Sequence, residues 1–167
     1  MINLPDYKKI HCIGIGGIGL SAVAEILMAR GYDISGSDMR ESDMTAKLAH
    51  DGAQIYIGHK AENVEGKDLI IYSSAISMEN PELAKAKELG IPAVTRAQAL
   101  GALMAEYDSS IAISGTHGKT TTTSMVSLIL KNAHKEPTIL VGGNLPEING
   151  NVYVGQNDYF VTEACEY

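Results

Sequence analysis

The chain has 167 residues, 45% of them hydrophobic, which suffices for one ordinary domain, or one domain and part of another, with its own core. A formal net charge of −7 excludes nucleic acid as the main partner, because a basic footprint is missing, and leaves any phosphate binding to local geometry. Two cysteines without disulfide or metal spacing exclude a disulfide framework, and no apolar run is long enough to span a bilayer.

With a single Phe and no Trp, the core is expected to be aliphatic, which suits parallel Ile and Val strands covered by helices. Residues 1–9 carry no apolar signal-peptide segment, so a cytoplasmic location is expected. Residues 9–15 read as a buried strand, with Cys12 inside it as a small hydrophobe. The strand runs into Gly14-Ile15-Gly16-Gly17-Ile18-Gly19, a G-x-G-x-x-G pattern, and the following periodicity predicts a helix over 17–30 stopped by Gly31. A strand over 32–35 then ends near Asp38, about 20 residues beyond the glycines, where a ribose-binding carboxylate is expected. A lone G-x-G-x-x-G says little. Strand, glycines, helix, second strand and acid in this order indicate a nucleotide-diphosphate site rather than a bare tight turn.

Further along, a helix is predicted over 45–51, a strand over 54–57, a solvated mixed-charge connection over 60–67 and a strand over 69–72. Asn80-Pro81-Glu82 opens a helix over 81–89, with Asn80 as N-cap and Pro81 in the first turn, and Gly90 ends it. A short strand over 93–94 and a helix over 97–105 follow. Strands alternating with helices predict a Rossmann-like parallel sheet with its ligand at the carboxyl ends of the strands. This first domain is expected to span 1–107.

The polar stretch 106–110 marks a boundary, and a second α/β unit is expected over 108–167. A strand over 111–114 leads into Ile113-Ser114-Gly115-Thr116-His117-Gly118-Lys119-Thr120-Thr121, and a helix follows over 120–132. Strand, glycine-rich turn and helix are the context of a phosphate-binding loop, whose backbone N–H groups cradle phosphate oxygens. Lys119 supplies a positive charge for the β- and γ-phosphates, and the Thr120 hydroxyl suits Mg²⁺. In the general G-x-x-x-x-G-K-[ST] form the first glycine would stand at Ile113; here the chain has Gly115 instead, so the loop is a variant. The bland reading is a glycine-rich turn with a surface lysine. A strand over 138–141, a Gly/Asn/Pro-rich connection over 142–151 and a strand over 159–162 complete the unit before Glu163-Ala164-Cys165-Glu166-Tyr167. These are fewer strands than a P-loop domain needs, so a truncated second domain is expected.

Two phosphate-binding loops of different types, together with Ser35-Gly36-Ser37-Asp38, Ser73-Ser74-Ala75-Ile76 and the Glu163–Tyr167 ending, resemble the Mur ligases of peptidoglycan synthesis. The Gly16-Gly17 doublet favours the alanine-adding branch of that family. The resemblance implies an ATP-dependent carboxylate–amine ligase that joins L-alanine to UDP-N-acetylmuramate through an acyl phosphate, with ATP and Mg²⁺ as cofactors. It implies that Gly14, Gly16, Gly17 and Gly19 hold the UDP diphosphate, that Ser37, Asp38 and His59 lie toward the uridine, and that Ser73 and Ser74 bond phosphate or sugar. Gly115, Thr116, His117, Gly118, Lys119, Thr120 and Thr121 would wrap the ATP phosphates, Lys119 and Glu163 would act in catalysis, and Thr120 and Glu163 would hold the metal. The chain alone, lacking the remaining elements, is expected to be inactive.

Each residue also has a plainer reading. Asp38 can cap a turn, His59 can be a surface histidine, Ser73 and Ser74 can be turn caps, and Glu166 can be a solvated acid. Met28, Met104 and Met125 read as core filler. Within the family the alternative is the ligase that attaches a recycled tripeptide. Outside it are an NAD-dependent oxidoreductase domain, which leaves 115–121 unexplained, and a non-catalytic nucleotide-binding module.

Overall fold

The apolar segment after Lys8 forms the centre of a parallel sheet. In a computed structural model, which describes residues 2–156 and 159–164, the first unit (1–102) runs β1 (Lys9–Ile13), α1 (Ile18–Ala29), β2 (Asp33–Asp38), α2 (Asp43–His50), β3 (Gln54–Ile57), β4 (Leu69–Tyr72), α3 (Pro81–Leu89), β5 (Ala93–Thr95) and α4 (Arg96–Met104). The strand order is β3-β2-β1-β4-β5, all parallel, so the order reverses between β1 and β4. That reversal opens a crevice at the carboxyl ends of the two strands.

Register divides the sheet into two faces. His11 pairs with Ser35 and Ile70, and Ile13 with Ser37 and Tyr72, so these side chains share one face. Ile13 and Ile70 pack there with Val64, Leu83 and Ala86. On the other face stand Ile10, Cys12 and Ile34, all buried, and α1 buries Leu20, Val23, Ala24 and Leu27. Burial pushes the Cys12 thiol up to about 12, which leaves it a non-reactive core residue, as expected.

Local chemistry sets the helix limits. Asn80 Oδ1 accepts the Glu82 N–H at 2.9 Å, and Gly90 closes α3 in the left-handed region at φ 71°. Helix α2 begins at Asp43, earlier than the expected 45, because Ser42 caps it. Ser42 Oγ accepts the Thr45 N–H at 3.2 Å, while the Ser42 N–H donates back to Thr45 Oγ1 at 2.9 Å.

The second unit (103–167) holds β6 (Ser109–Ile113), α5 (Lys119–Asn132), β7 (Thr138–Leu145), β8 (Gly150–Tyr153) and β9 (Tyr159–Glu163) in the order β6-β9-β7-β8. Strands β6, β9 and β7 are parallel, and β8 is antiparallel to β7. Here the expectation of a loose connection over 142–151 is corrected. Strand β7 continues to Leu145, and the Pro/Asn/Gly signals mark a hairpin turn with Asn149 at φ 56°. The first compact unit ends at Ala102 and the second begins at Leu103. Within the second unit Tyr107 stacks on buried Phe160 at 5.0 Å, and its hydroxyl donates to Thr138 Oγ1 at 3.2 Å. Met125 is not core filler but 60% exposed, because α5 turns Thr123 and Ser127 inward instead. Residues Cys165, Glu166 and Tyr167 lie outside the described residues.

Among the described residues no helix is long and apolar enough to cross a membrane.

Candidate functional site

In the first unit the glycine loop leaves β1 at the β1/β4 crevice. The N–H groups of Gly14 and Ile15 both donate to Ser37 O, at 2.8 and 3.1 Å, which bends the chain sharply over the end of β2. Gly14 takes φ +83°, and a Cβ there would meet Ile76 Cδ1 at 3.2 Å and Ser73 Cβ at 3.3 Å. The loop therefore lies against the turn that follows β4. Gly17 caps α1 and Gly19 sits in its first turn, so the helix N-terminus begins directly where the loop leaves β1.

Asp38, at the end of β2, closes on this loop. Its Oδ2 accepts the Gly16 N–H at 2.9 Å, and its Oδ1 accepts the Arg40 N–H at 3.4 Å. One carboxylate thus both ties down the glycine loop and caps the turn after β2. Ser73 is half-buried and caps its turn by accepting the Ala75 N–H at 3.4 Å, whereas Ser74 is exposed on that turn.

Ser37 and His59 meet beneath the strand ends. Ser37 Oγ lies 3.0 Å from His59 Nδ1, and both bond Glu82 Oε2, at 2.7 and 2.8 Å. Glu82 went unnoticed in the sequence, where it reads as an ordinary acid in a helix first turn. Arg96 was also missed: its side chain stands where a Cβ on Gly19 would lie only 3.2 Å from it, which sets a guanidinium beside the α1 N-terminus. Neither residue belongs to a local motif, so no spacing signal announced them.

In the second unit β6 opens into an exposed loop. Gly115 takes φ +154° and Gly118 φ +77°, conformations that favour glycine, and Gly118 is the N-cap of α5. Lys119 Nζ donates to Gly115 O at 2.7 Å, so the lysine arches across the loop it is expected to serve. Thr116, His117, Thr120 and Thr121 are exposed around it. Glu163 ends β9 directly beside the end of β6, in register with Ile113. Its Oε1 accepts the Gly142 N–H at 2.8 Å. A Cβ on Gly143 would lie 3.5 Å from Thr120 Cγ2, so the 142–143 backbone runs between Thr120 and Glu163. A carboxylate and a hydroxyl are hard-oxygen donors of the kind that suit Mg²⁺ when phosphates supply further oxygens.

A family model described as Mur ligase family, catalytic domain, matches residues 9–108. A UDP-N-acetylmuramate--L-alanine ligase of Clostridium botulinum is 61% identical and one of Alkaliphilus metalliredigens 56% identical, each over 160 residues. Both alignments take in 96% of this chain and 35% of the relative, so the chain spans about a third of the length of the curated relatives it matches. Among solved structures, the UDP-N-acetylmuramate-alanine ligase of Thermotoga maritima has a TM-score of 0.83 at 39% identity, with 93% of this chain and 36% of that one covered. The UDP-N-acetylmuramate:L-alanyl-gamma-D-glutamyl-meso-diaminopimelate ligase of Neisseria meningitides has a TM-score of 0.87 at 28% identity, with 96% and 53% covered.

Proposed function

The chain belongs to the Mur ligase family, and from that premise we propose that it forms the N-terminal part of an ATP-dependent ligase joining L-alanine to UDP-N-acetylmuramate. The first unit binds the UDP-sugar and the second binds ATP. The observation that carries this reading is the pair of glycine loops, each at the carboxyl end of a strand with parallel neighbours and each opening a helix.

In the reaction, a carboxylate oxygen of the muramic acid attacks the γ-phosphorus of ATP, and ADP leaves. The amine of L-alanine then attacks the acyl carbon, inorganic phosphate departs, and the amine nitrogen gives up its proton as the amide forms. Gly14, Gly16, Gly17 and Gly19 shape the loop at the α1 N-terminus against which the UDP diphosphate lies, with Asp38, Ser37, His59, Ser73 and Ser74 around it. Gly115 to Thr121 wrap the ATP phosphates, and Lys119 leaves Gly115 O to balance charge on the phosphoryl group in transfer. Thr120 and Glu163 hold the metal, which when bound neutralises phosphate charge.

Identities of 56–61% to alanine ligases support alanine over the tripeptide substrate of the Neisseria meningitides neighbour. The test is calorimetric titration of the chain with UDP-N-acetylmuramate, with NADH in parallel, and with Mg-ATP on wild type and Lys119→Ala. Heat from the UDP-sugar and from Mg-ATP is expected, with Mg-ATP affinity falling about 100-fold in the variant. Binding of NADH in place of the UDP-sugar points instead to a dinucleotide enzyme, and unchanged ATP affinity in Lys119→Ala removes the loop assignment.

A further inference from the structure

Glu82 is fully buried yet charged, and every neighbour that stabilises it comes from a different part of the first unit. His11 Nε2 on β1 lies 3.2 Å from Oε1, and Asn63 Nδ2 donates to Oε1 at 2.7 Å. Ser37 Oγ on β2 donates to Oε2 at 2.7 Å, and His59 Nδ1, just past β3, lies 2.8 Å from Oε2. Burial by itself would raise the Glu82 carboxyl; hydrogen bonds from His11, Ser37 and Asn63 outweigh it and hold the group below its ordinary value. A buried carboxylate is costly unless its donors are all in place, and an apolar side chain would fill the same space more cheaply.

The chemistry of the acceptor decides what His59 presents. An ionised carboxylate only accepts, so the proton of this contact sits on His59 Nδ1. Nδ1 also lies 3.0 Å from Ser37 Oγ, whose own proton is committed to Glu82. In the neutral ring Nε2 is therefore an acceptor. It bonds no other described residue and is not among the buried unpaired atoms, so it opens outward. His59 follows β3 on the side of the sheet where Asp38 and the glycine loop end.

We propose that Glu82 is a positioning residue for the nucleotide-sugar site, locking His59 so that Nε2 faces the ligand as a hydrogen-bond acceptor for a ligand N–H. A uracil imide is a group of that kind. This rests on the UDP-sugar reading of the first unit. Glu82 touches no ligand itself; it acts through the ring it holds, as an outer carboxylate orients a histidine that ligates a metal.

The test pairs a spectroscopic readout with a double-mutant cycle. In ¹⁵N NMR of the wild-type chain, neutral His59 is expected as the Nδ1–H form. In Glu82→Gln the amide presents a donor as well as an acceptor, and the tautomer shifts toward Nε2–H. By calorimetry, Glu82→Gln weakens UDP-N-acetylmuramate binding about tenfold with Mg-ATP affinity unchanged. His59→Ala costs a similar factor in the wild type but little more in the Glu82→Gln background, because both changes remove one interaction. A wild-type His59 carrying its proton on Nε2 overturns the proposal even if the variant fails to fold, and so do additive penalties from the two substitutions. Absence of UDP-sugar binding by a wild type with the Nδ1–H ring sinks the substrate reading and the Glu82 role with it, whereas additivity with wild-type binding intact sinks the Glu82 role alone.

Discussion

Gly142 shows how a single missing side chain shapes the second site. Its N–H donates to Glu163 Oε1 at 2.8 Å, and a Cβ there would come within 2.8 Å of Oε2 of the same carboxylate. A methyl group has no room unless Glu163 swings away. Gly142→Ala is therefore expected to weaken Mg-ATP binding about 10- to 100-fold while UDP-sugar binding stays unchanged, as read by parallel titrations. The loop glycines and Lys119 stand out in the sequence because strand, loop and helix are contiguous, and Glu163 because it follows an apolar strand in a chain that resembles the Mur ligases. Gly142 stands 21 residues from the acid it supports, and Glu82 stands 71 from His11, so no local pattern joins either pair.

At the scale of the element, β2 carries a constraint that its composition hides. Glycine in a strand interior is normally unfavourable, yet a Cβ on Gly36 would lie 2.4 Å from Ile15 Cδ1 and 2.8 Å from the Cys12 carbonyl oxygen. Gly36 is the gap through which Ile15 reaches the core as the glycine loop turns. Gly36→Ala is expected to destabilise the first unit by about 1–3 kcal/mol, seen as a lower urea midpoint, and an unchanged midpoint would refute this account. Helix α3 was delimited correctly from sequence because Asn80, Pro81 and Gly90 each act on the backbone next to them. Strand β8 was missed because a pairing strand is chosen by its partner: Val152 and Tyr153 find Leu140 and Ile139 across the hairpin, and nothing in 150–153 alone demands that.

For the molecule as a whole, the buried network sets the response to acid. The folded Glu82 carboxyl lies below the unfolded glutamate value of 4.5, so its stabilising contribution is complete above that value. The contribution is lost as pH falls through the lower folded value, because the proton then binds the unfolded chain first. Asp68 adds to the same trend, since the backbone N–H groups of Lys9 and Lys8 hold its carboxyl below the ordinary aspartate value. Urea midpoints measured from neutral pH down to about pH 3 are expected to decline below pH 4.5, and Glu82→Gln to flatten that decline. A variant whose acid profile matches the wild type would show that Glu82 titrates alike in both states.

The alternation of apolar runs with capped helices was enough by itself to determine an α/β chain with a Rossmann-like first sheet, and two glycine loops were enough to raise phosphate binding as an expectation at two points along it. Such features are local, since each depends on residues within a turn or two of one another. Only the tertiary structure decided which groups those loops face: Asp38 closing on Gly16, Arg96 beside Gly19, Gly142 bearing on Glu163. It alone turned an unremarked helix acid, Glu82, into the point where His11, Ser37, His59 and Asn63 converge. The physical reason is that a buried charge is tolerated only where several distant donors arrive together, and it is the parallel register of the sheet that brings them there.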